Sequence, residues 1–208
     1  MLPTESGADL YIFGIEHFLL SGNTELRTVN DRVYPEVSDF ADDYIRVHKL
    51  LFYSNCNKFY RRSVIEKQGV RFDETSVFGE DRPFNYSFLK GCKTVISSHF
   101  IMLNYIQRST QSLSGRHIPG YFDNIIRLHK TKMDCFLSLS KGTTEEEKRE
   151  FMAYDICKEI DLTLIRFDDH PEEIEENLPK INQLIFGGPY DPDTPVDILI
   201  VLGSGSCE

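Results

Sequence analysis

The stretch NKFYRRSVIEKQGVRFDETSVFGEDRPFNYSFLKGCKTV, residues 57–95, decides the fold. It contains two short helical patterns joined by an irregular connection. The first pattern ends at Gly69, whose lack of a Cβ suits the left-handed residue that closes a helix, and the second pattern ends at Gly91. The second helix is predicted to begin near Pro83, directly after two adjacent acidic residues.

These acidic residues, Glu80 and Asp81, follow Gly79 at the mouth of the second helix. The helix dipole and the free N–H groups of the first turn favour negative charge at this place. We therefore expect Asp81 to be ionised at neutral pH, as a base that removes a hydroxyl proton must be. The alternative is ordinary capping of the helix by one of the two carboxylates, because acidic helix starts are common.

Upstream of this stretch, residues 8–20 (ADLYIFGIEHFLL) are apolar and rich in aromatic and β-branched side chains. The segment breaks at Ser21-Gly22-Asn23, and residues 24–30 then alternate, so the pattern predicts a β-hairpin. A helical period begins near Ser38 and places Phe40, Tyr44, Val47 and Leu50 on one face.

Downstream, residues 93–106 (KTVISSHFIMLNYI) predict one or two strands. Three amphipathic helices are expected after them, at about 118–139, 144–167 and 171–185. Thr143 or Thr144 is a plausible N-cap for the second of these helices, and Pro179 should kink or divide the third.

The last segment, 187–208, has two parts. Residues 187–195 (GGPYDPDTP) have the composition of a linker. Residues 196–202 (VDILIVL) then form an apolar run that ends at Gly203-Ser204-Gly205, which is typical of a buried parallel strand. We interpret this run as the first strand of a following domain.

The composition limits the classes of protein to which this chain can belong. With 208 residues, 40% of them hydrophobic, the chain can form one good core and a small second unit. The net charge of −10 repels phosphate backbones, so nucleic acid is not expected as a general partner. The cysteines are scattered without a CxxC motif, which predicts neither a disulfide framework nor a structural zinc site; they are Cys56, Cys92, Cys135, Cys157 and Cys207.

The sequence also indicates the cellular compartment of the protein. Met1 leads into Pro3, Glu5 and Asp9 rather than into a basic and then an apolar run, so no signal peptide is predicted. No stretch approaches the ~20 apolar residues that span a bilayer. We expect a cytoplasmic protein that is at most peripheral to the inner face of the membrane.

Five segments together resemble the acceptor-side half of bacterial family 2 glycosyltransferases, which have the GT-A fold. An Asn-Lys-x-Tyr-Arg-Arg segment, a Gly-hydrophobic-Arg-Phe-Asp-Glu turn and a Gly-Glu-Asp-x-x-Phe-Asn helix start occur in that family in this order. The corresponding segments here are 57–62, 69–74 and 79–85, with 7–12 before them and 104–108 after them. The resemblance covers about residues 5–115.

The resemblance implies an α/β fold, a partial GT-A-type mixed sheet with flanking helices that is followed by a helical C-terminal region. The implied domains are an acceptor-side half at 1–116, a helical region at 117–186, and a linker with a first strand at 187–208. The family's nucleotide-binding half, which ends in an Asp-x-Asp motif, has no counterpart before Asp9. We therefore expect an uncovered sheet face and an open edge through which the chain could form a homodimer.

The resemblance also implies roles for residues. Asp81 maps onto the catalytic base that takes the proton of the acceptor hydroxyl, and Glu80 would orient it or bind the acceptor. Asn57, Lys58, Arg61 and Arg108 are the implied substrate-binding residues.

Some of these residues have plainer alternatives. Lys58, Arg61 and Arg62 form a local basic cluster that would meet donor phosphates or an anionic acceptor, unless it is a solvated helix start. Arg108 has the alternative of a surface ion pair. The isolated His129 is interpreted as a helix-face or surface residue.

The implied activity is inverting transfer of a sugar from a nucleotide-sugar donor to a glycan or lipid-linked acceptor, in the synthesis of cell-surface polysaccharide. The family uses Mg²⁺ or Mn²⁺ on the donor diphosphate, but we predict no metal site in this chain and interpret Asp42-Asp43 as solvated surface. The isolated chain should be inactive, because donor binding belongs to the missing half. The alternative is a regulatory or scaffold domain that has kept the fold without catalysis.

Overall fold

The computed structural model describes residues 7–47, 51–76, 78–108, 118–166 and 170–186. The linker and strand predicted beyond residue 186 lie outside the described residues.

The described chain forms five strands and six helices. The strands are β1 (Leu10–Phe18), β2 (Thr24–Arg27), β3 (Arg32–Tyr34), β4 (Lys58–Tyr60) and β5 (Val95–Ile106). The helices are α1 (Val37–Val47), α2 (Arg62–Gln68), α3 (Asp81–Gly91), α4 (Tyr121–Leu139), α5 (Glu145–Arg166) and α6 (Pro171–Phe186). The predicted hairpin, the two short helices and the three later helices are all confirmed.

The strands make one mixed sheet in the order β2-β1-β5-β3, with β4 also paired to β1. β1 runs parallel to β5 and antiparallel to β2 and β4. β3 is antiparallel to β5. The α/β fold class, a mixed sheet with flanking helices, is confirmed. The opening strand β1 is not at the open edge, because strands from later in the chain pair with it on both sides.

One face of the sheet carries the main hydrophobic core. Leu10, Ile12 and Val95 are fully buried on this face. They belong to the same core as Phe40 of α1 and Phe136 of α4. Strand side chains alternate between the two faces, so the residues that flank Leu10 and Ile12 point away from this core.

The other face carries a row of apolar side chains that crosses four strands. Phe59 is paired with Tyr11, Tyr11 with Ile96, and Ile96 with Val33. Phe59 is 58% exposed and Val33 is 67% exposed, and the neighbouring Phe100 is 55% exposed. We call this row with Phe100 the bare face. Such large apolar side chains in solvent are unusual for an α/β sheet, which normally has helices on both faces.

Helices α4 and α5 share the core of the sheet. Phe136 of α4 stacks on Tyr44 of α1 with ring centroids 3.9 Å apart. Phe151 of α5 lies in the same cluster of buried residues as Leu10 of β1. The domain division at residues 116 and 117 remains a prediction, but residues on both sides of it contribute to one core.

Asp42 fastens the turn between α4 and α5 to α1. Its Oδ1 accepts a bond from the Lys141 N–H at 3.0 Å, and its Oδ2 accepts one from the Gly142 N–H at 2.9 Å. Asp43 accepts a bond from Arg32 Nη1 of β3 at 2.7 Å. The prediction that this acidic pair is solvated surface is wrong, because both carboxylates hold other parts of the chain.

Two predictions about helix ends have different outcomes. Thr144 and Glu147 form a reciprocal capping box at the start of α5: Thr144 Oγ1 accepts from the Glu147 N–H at 3.2 Å, and Glu147 Oε2 accepts from the Thr144 N–H at 2.7 Å. The N-cap prediction is confirmed. Pro179 does not divide α6, which continues as one helix across it. Among the described helices, none is both long and apolar enough to cross a bilayer.

Candidate functional site

The first turn of α3 carries Asp81 and lies toward the carboxyl ends of the parallel strands. Only residues 92–94 connect α3 to β5, so the helix runs back along the sheet and its first turn lies toward the end where β5 finishes. Open α/β sheets bind ligands at this edge. Gly79, just before the helix, has a φ of 74°, and a Cβ there would lie 2.8 Å from Leu128 Cδ1. The turn that delivers Asp81 therefore requires glycine for both conformation and packing.

One residue holds both oxygens of the Asp81 carboxylate. The Asn55 N–H donates to Oδ2 at 3.1 Å, and Asn55 Nδ2 donates to Oδ1 at 3.0 Å. Glu80 occupies the N-cap position without a side-chain cap bond. Asp81 thus orients toward the loop before β4 instead of capping its own helix, and the capping alternative is not observed.

The environment changes the proton affinity of Asp81. The carboxyl is about half buried, and this burial raises its pKa above the usual value. The bond from the Asn55 N–H acts in the opposite direction, and the negative charge of Glu80 adds to the increase. The net shift is upward, whereas the helix dipole alone predicted a carboxylate that is easily ionised. A higher pKa makes the ionised form a stronger base.

The loop that grips Asp81 is itself held by two buried side chains. The backbone carbonyls of residues 51–54 all accept side-chain hydrogen bonds. The first and last accept from Lys58 Nζ, the first of them at 2.7 Å. The middle two accept from Asn85 Nδ2 at 3.0 and 3.4 Å. Four consecutive carbonyls fixed by side chains leave this loop little freedom.

Two further motif residues complete this network. The Tyr60 hydroxyl lies between the loop and α3, 2.9 Å from Asn55 Oδ1 and 2.5 Å from Asn85 Oδ1, and it can donate its one proton to either oxygen. Asn57 Nδ2 donates to the Phe13 carbonyl of β1 at 2.7 Å. The network therefore joins β1, β4 and α3 around the residue that holds Asp81. We call it the Asp81 cage.

The structure corrects the expected roles of Asn57 and Lys58. Asn57 is 0% exposed and Lys58 is 5% exposed. Burial lowers the pKa of Lys58 to about 7. Lys58 Nζ also donates to Asn57 Oδ1 at 2.9 Å, in addition to its two carbonyl partners. With three acceptors around its ammonium group, Lys58 is an internal support of the loop and not a surface contact for phosphate.

The two predicted arginines lie at opposite ends of the sheet. Arg61 Nε pairs with Asp9 Oδ1 at 2.8 Å, directly before β1 begins. This is the amino end of the parallel strands, away from the first turn of α3. Arg108 is exposed and follows β5 at the carboxyl end, where the Gln107 N–H donates to the Phe18 carbonyl at 2.9 Å. Of the two, only Arg108 shares an edge with Asp81, and its role remains a prediction.

A second polar group, which the sequence did not predict, lies between α3, α4 and α5. Arg82 Nη1 pairs with Glu159 Oε1 at 2.8 Å. Asp155 binds His129 Nδ1 at 2.8 Å through Oδ2, and it binds Lys132 Nζ through Oδ1. His129 has 12% of its side chain exposed and lies on the face of α4 that meets α5, so the structure places it on a helix face, one of the two expected positions.

No metal site is found in this part of the protein. Among residues 7–47, 51–76, 78–108, 118–166 and 170–186, no group of three or more His, Cys, Asp or Glu side chains is arranged to hold a metal ion. The Mg²⁺ or Mn²⁺ that the resemblance implies therefore finds no ligand set in the described residues, and we derive no step through it.

No protein-family model matches the chain, and no curated protein matches it by sequence. Among solved structures, the chain is similar to residues 1–349 of TarS from S. aureus, a glycosyltransferase solved in complex with UDP-GlcNAc. The TM-score is 0.50 at 13% sequence identity, and the match covers 88% of this chain and 49% of the TarS chain. The chain thus spans about half the length of that TarS chain, and its fold is distantly similar to that of this glycosyltransferase.

Proposed function

We propose that this chain is the acceptor side of an inverting glycosyltransferase related to family 2, with Asp81 as the catalytic base. The observation that carries the proposal is the Asp81 carboxylate itself. It is half buried at the first turn of α3, and both of its oxygens are aligned by Asn55. A carboxylate that is desolvated and oriented by a rigid loop is suited to general-base catalysis.

In the proposed reaction Asp81 accepts the proton of an acceptor hydroxyl. The hydroxyl oxygen forms a bond to the anomeric carbon of the donor sugar, while the bond from that carbon to the donor phosphate breaks. The nucleoside diphosphate leaves with the electron pair, and Asp81 becomes neutral. A single displacement inverts the anomeric carbon and needs only one base, so no second carboxylate has to act as a nucleophile. Glu80 lies beside Asp81 and would orient the acceptor.

The substrates are proposed by class. A nucleotide-sugar donor is supported by the fold shared with TarS, whose structure contains UDP-GlcNAc. A glycan or lipid-linked acceptor, used in cell-surface polysaccharide synthesis at the cytoplasmic face of the membrane, follows from the family resemblance. A divalent metal would offset the charge of the leaving diphosphate, and its ligands would come from outside the described residues.

Donor binding is the first test. The match to TarS covers about half of that chain, and we propose that a separate nucleotide-binding half supplies most of the donor contacts. Calorimetric titration of UDP-GlcNAc with Mn²⁺ into the 208-residue chain should therefore show no submillimolar binding. Submillimolar binding would contradict the proposal that a separate half supplies most of the donor contacts.

The rate test uses a longer form of the protein that carries a nucleotide-binding half. Asp81→Asn removes the proton acceptor and is expected to lower kcat by about 10²- to 10⁴-fold, with donor Kd nearly unchanged. Glu80→Gln should have a milder effect, mainly on acceptor KM. The matched control is Asp134→Asn, because Asp134 is an exposed carboxylate on α4.

The same experiment separates catalysis from the scaffold alternative. Because the amide introduced by Asp81→Asn keeps only one of the two acceptor oxygens, thermal unfolding must show that the variant is folded. A folded Asp81→Asn protein with a normal rate would show that Asp81 is not the catalytic base. A longer form without measurable transfer even in the wild type would instead favour the scaffold function, which the exposed aromatic side chains of the bare face also support.

A further inference from the structure

The first turn of α3 is less buried than the rest of this helix. Phe88 and Leu89, in its later turns, are fully buried in the main core. Asp81 and Arg82, in the first turn, are only partly buried, and Arg82 borders a cleft of about 720 Å³ that residues of α4 and α5 also line. Apolar packing therefore fixes the end of α3 more firmly than its beginning. The position of Asp81 depends on the other contacts that its turn makes.

Helix α5 supplies one of these contacts through an ion pair. Glu159 Oε1 lies 2.8 Å from Arg82 Nη1, and Arg82 directly follows Asp81 in the chain. Both side chains are largely buried, with 22% of Arg82 and 9% of Glu159 exposed. Successive side chains of a helix point about 100° apart. The ion pair and the bonds from Asn55 to Asp81 therefore hold the first turn on two different sides, and together they fix its rotation about the helix axis.

Helix α4 holds the residues just before the same turn. Asn124 Nδ2 donates to the Phe78 carbonyl at 2.8 Å. Gly79 approaches α4 so closely that a Cβ there would lie 2.8 Å from Leu128 Cδ1. The helices predicted at 117–186 thus contact the chain both before and after the proposed base.

A contribution to stability does not by itself explain the ion pair between α3 and α5. Buried ion pairs add little net stability, because both charges lose their hydration, and apolar residues of similar volume often replace them without loss. The ion pair does add a fixed direction, because a guanidinium group and a carboxylate bond at a defined distance and angle. A base requires such a fixed direction, since a small displacement of a catalytic group lowers the rate strongly.

We infer that Glu159 is a positioning residue for the proposed base. It acts through Arg82, which holds the first turn of α3 so that the Asp81 carboxylate stays against Asn55. The effect of Glu159 on the geometry of Asp81 does not depend on the reaction, whereas its effect on the rate rests on the proposed function.

The geometric part is tested on the 208-residue chain by amide hydrogen exchange. The Asn55 N–H donates to Asp81 Oδ2, so the protection of this amide reports whether the carboxylate is in place. Glu159→Ala should speed exchange at Asn55 about tenfold relative to the amide of Leu10, a fully buried residue of β1. Unchanged relative exchange at Asn55 would overturn the inference.

The matched control is Asp155→Ala. Asp155 lies one turn before Glu159 on α5 and is similarly buried, at 4% against 7% exposed. Its partners His129 and Lys132, however, belong to α4 and not to α3. Asp155→Ala should therefore leave the relative exchange at Asn55 unchanged. Equal acceleration in the two variants would show a general loosening of the helices and would also overturn the inference.

A double variant keeps the test valid if Glu159→Ala fails to fold. Arg82→Met combined with Glu159→Met replaces both charges by apolar side chains, so the thermal stability should be kept. Methionine side chains are flexible and do not impose a direction, so exchange at Asn55 should still rise about tenfold. A stable double variant with wild-type exchange at Asn55 would contradict the role of Glu159.

The rate is measured in the longer form that carries a nucleotide-binding half. The double variant should lower kcat about tenfold and leave donor Kd unchanged, because Asp81 is present but is less often in place. Glu159→Gln keeps an oxygen acceptor for Arg82 and should retain most of the rate. A normal kcat in the double variant, together with a slowed Asp81→Asn protein, would overturn the positioning role.

The two measurements also separate this inference from the proposed function. Faster exchange at Asn55 in Glu159→Ala, with a normal rate in Asp81→Asn, would keep Glu159 as the residue that positions Asp81 and would show that Asp81 is not the base. Unchanged exchange at Asn55, with a slowed Asp81→Asn protein, would keep the base and overturn the role of Glu159.

Discussion

Lys58 and Phe59 are neighbours on β4, and each has the environment expected for the other. Lys58 is 5% exposed and supports the Asp81 cage, whereas Phe59 is 58% exposed on the bare face. Alternation along the strand sends the two side chains to opposite faces of the sheet. The comparison shows that on this short strand the polar side chain is used in the interior and the aromatic side chain at the surface.

The buried Lys58 and the exposed Phe59 indicate different properties of the two regions. A buried ammonium group loses its hydration and is retained only where its hydrogen bonds are made, so the burial of Lys58 marks a rigid, specialised loop. An exposed aromatic row marks a surface that is suited to contact another apolar surface. Substitutions in the Asp81 cage should therefore change the free energy of unfolding. Substitutions on the bare face should change self-association.

The largest effect is expected in the cage. Asn85→Leu keeps the side-chain volume but leaves the carbonyls of Phe52 and Tyr53 without their side-chain donor, and it removes an acceptor of the Tyr60 hydroxyl. Buried polar groups without partners cost about 1–3 kcal/mol each, so we expect a loss of about 3 kcal/mol in the free energy of unfolding. Urea unfolding followed by circular dichroism measures it.

Asn30→Leu is the control for this substitution, because Asn30 is exposed on the described surface. It should change the free energy of unfolding by less than about 0.5 kcal/mol. Equal costs for the two variants would show that the network around Asn85 does not stabilise the loop.

An intermediate effect is expected from the titration of Lys58. Its pKa is about 7 in the folded chain because of burial, and a lysine in the unfolded chain titrates near 10.4. Between these two pKa values, Lys58 is protonated in the unfolded chain and mostly neutral in the folded chain. The unfolded chain therefore binds one more proton than the folded chain, and raising the pH stabilises the fold. From pH 7 to pH 9 the free energy of unfolding should gain up to about 1.4 kcal/mol per pH unit from this group.

Lys58→Met should lack this pH-dependent gain, whereas Lys67→Met should keep it, since Lys67 is exposed in the last turn of α2. Unfolding is measured at several values of pH for the three proteins. Parallel curves for wild type and Lys58→Met would contradict the assignment of a neutral-range titration to Lys58.

The smallest effect on stability is expected on the bare face. Phe59→Ser should change the free energy of unfolding by less than about 0.5 kcal/mol, because the ring is largely in solvent already. It should, however, weaken self-association, which sedimentation velocity over a range of concentrations detects. A wild-type chain that remains monomeric throughout would contradict the bare face as a contact surface and the predicted homodimer with it.

Much of the fold was predictable because its signals are local. Gly69 has a φ of 61° and closes α2, as its position in the sequence predicts. The alternating and helical patterns predicted β1, β2, β5 and the six helices, but not the short strands β3 and β4, and the resemblance implied the fold class. The position of Asp81 at the start of α3 was predictable for the same reason, since it depends on the residues on either side of it.

The partners of these residues were not predictable, because they come from distant parts of the chain. Asp155 meets His129 and Lys132 only once α4 and α5 pack together. Asp42 meets the N–H of Gly142 a hundred residues later. The motif containing Lys58 indicates a site, but the face that Lys58 occupies depends on the pairing of β4 with β1.

The central place of β1 has a consequence for the chain during its synthesis. The partner β2 follows β1 almost at once, but β4 begins about 40 residues later and β5 almost 80 residues later. At ~5–20 residues per second, roughly 4–15 s pass before β5 leaves the ribosome. For that time the apolar run LYIFGIEHF of β1 has one unpaired edge. During synthesis, chaperone binding and wrong strand pairing are therefore most expected at β1, the strand that is paired on both sides in the folded chain.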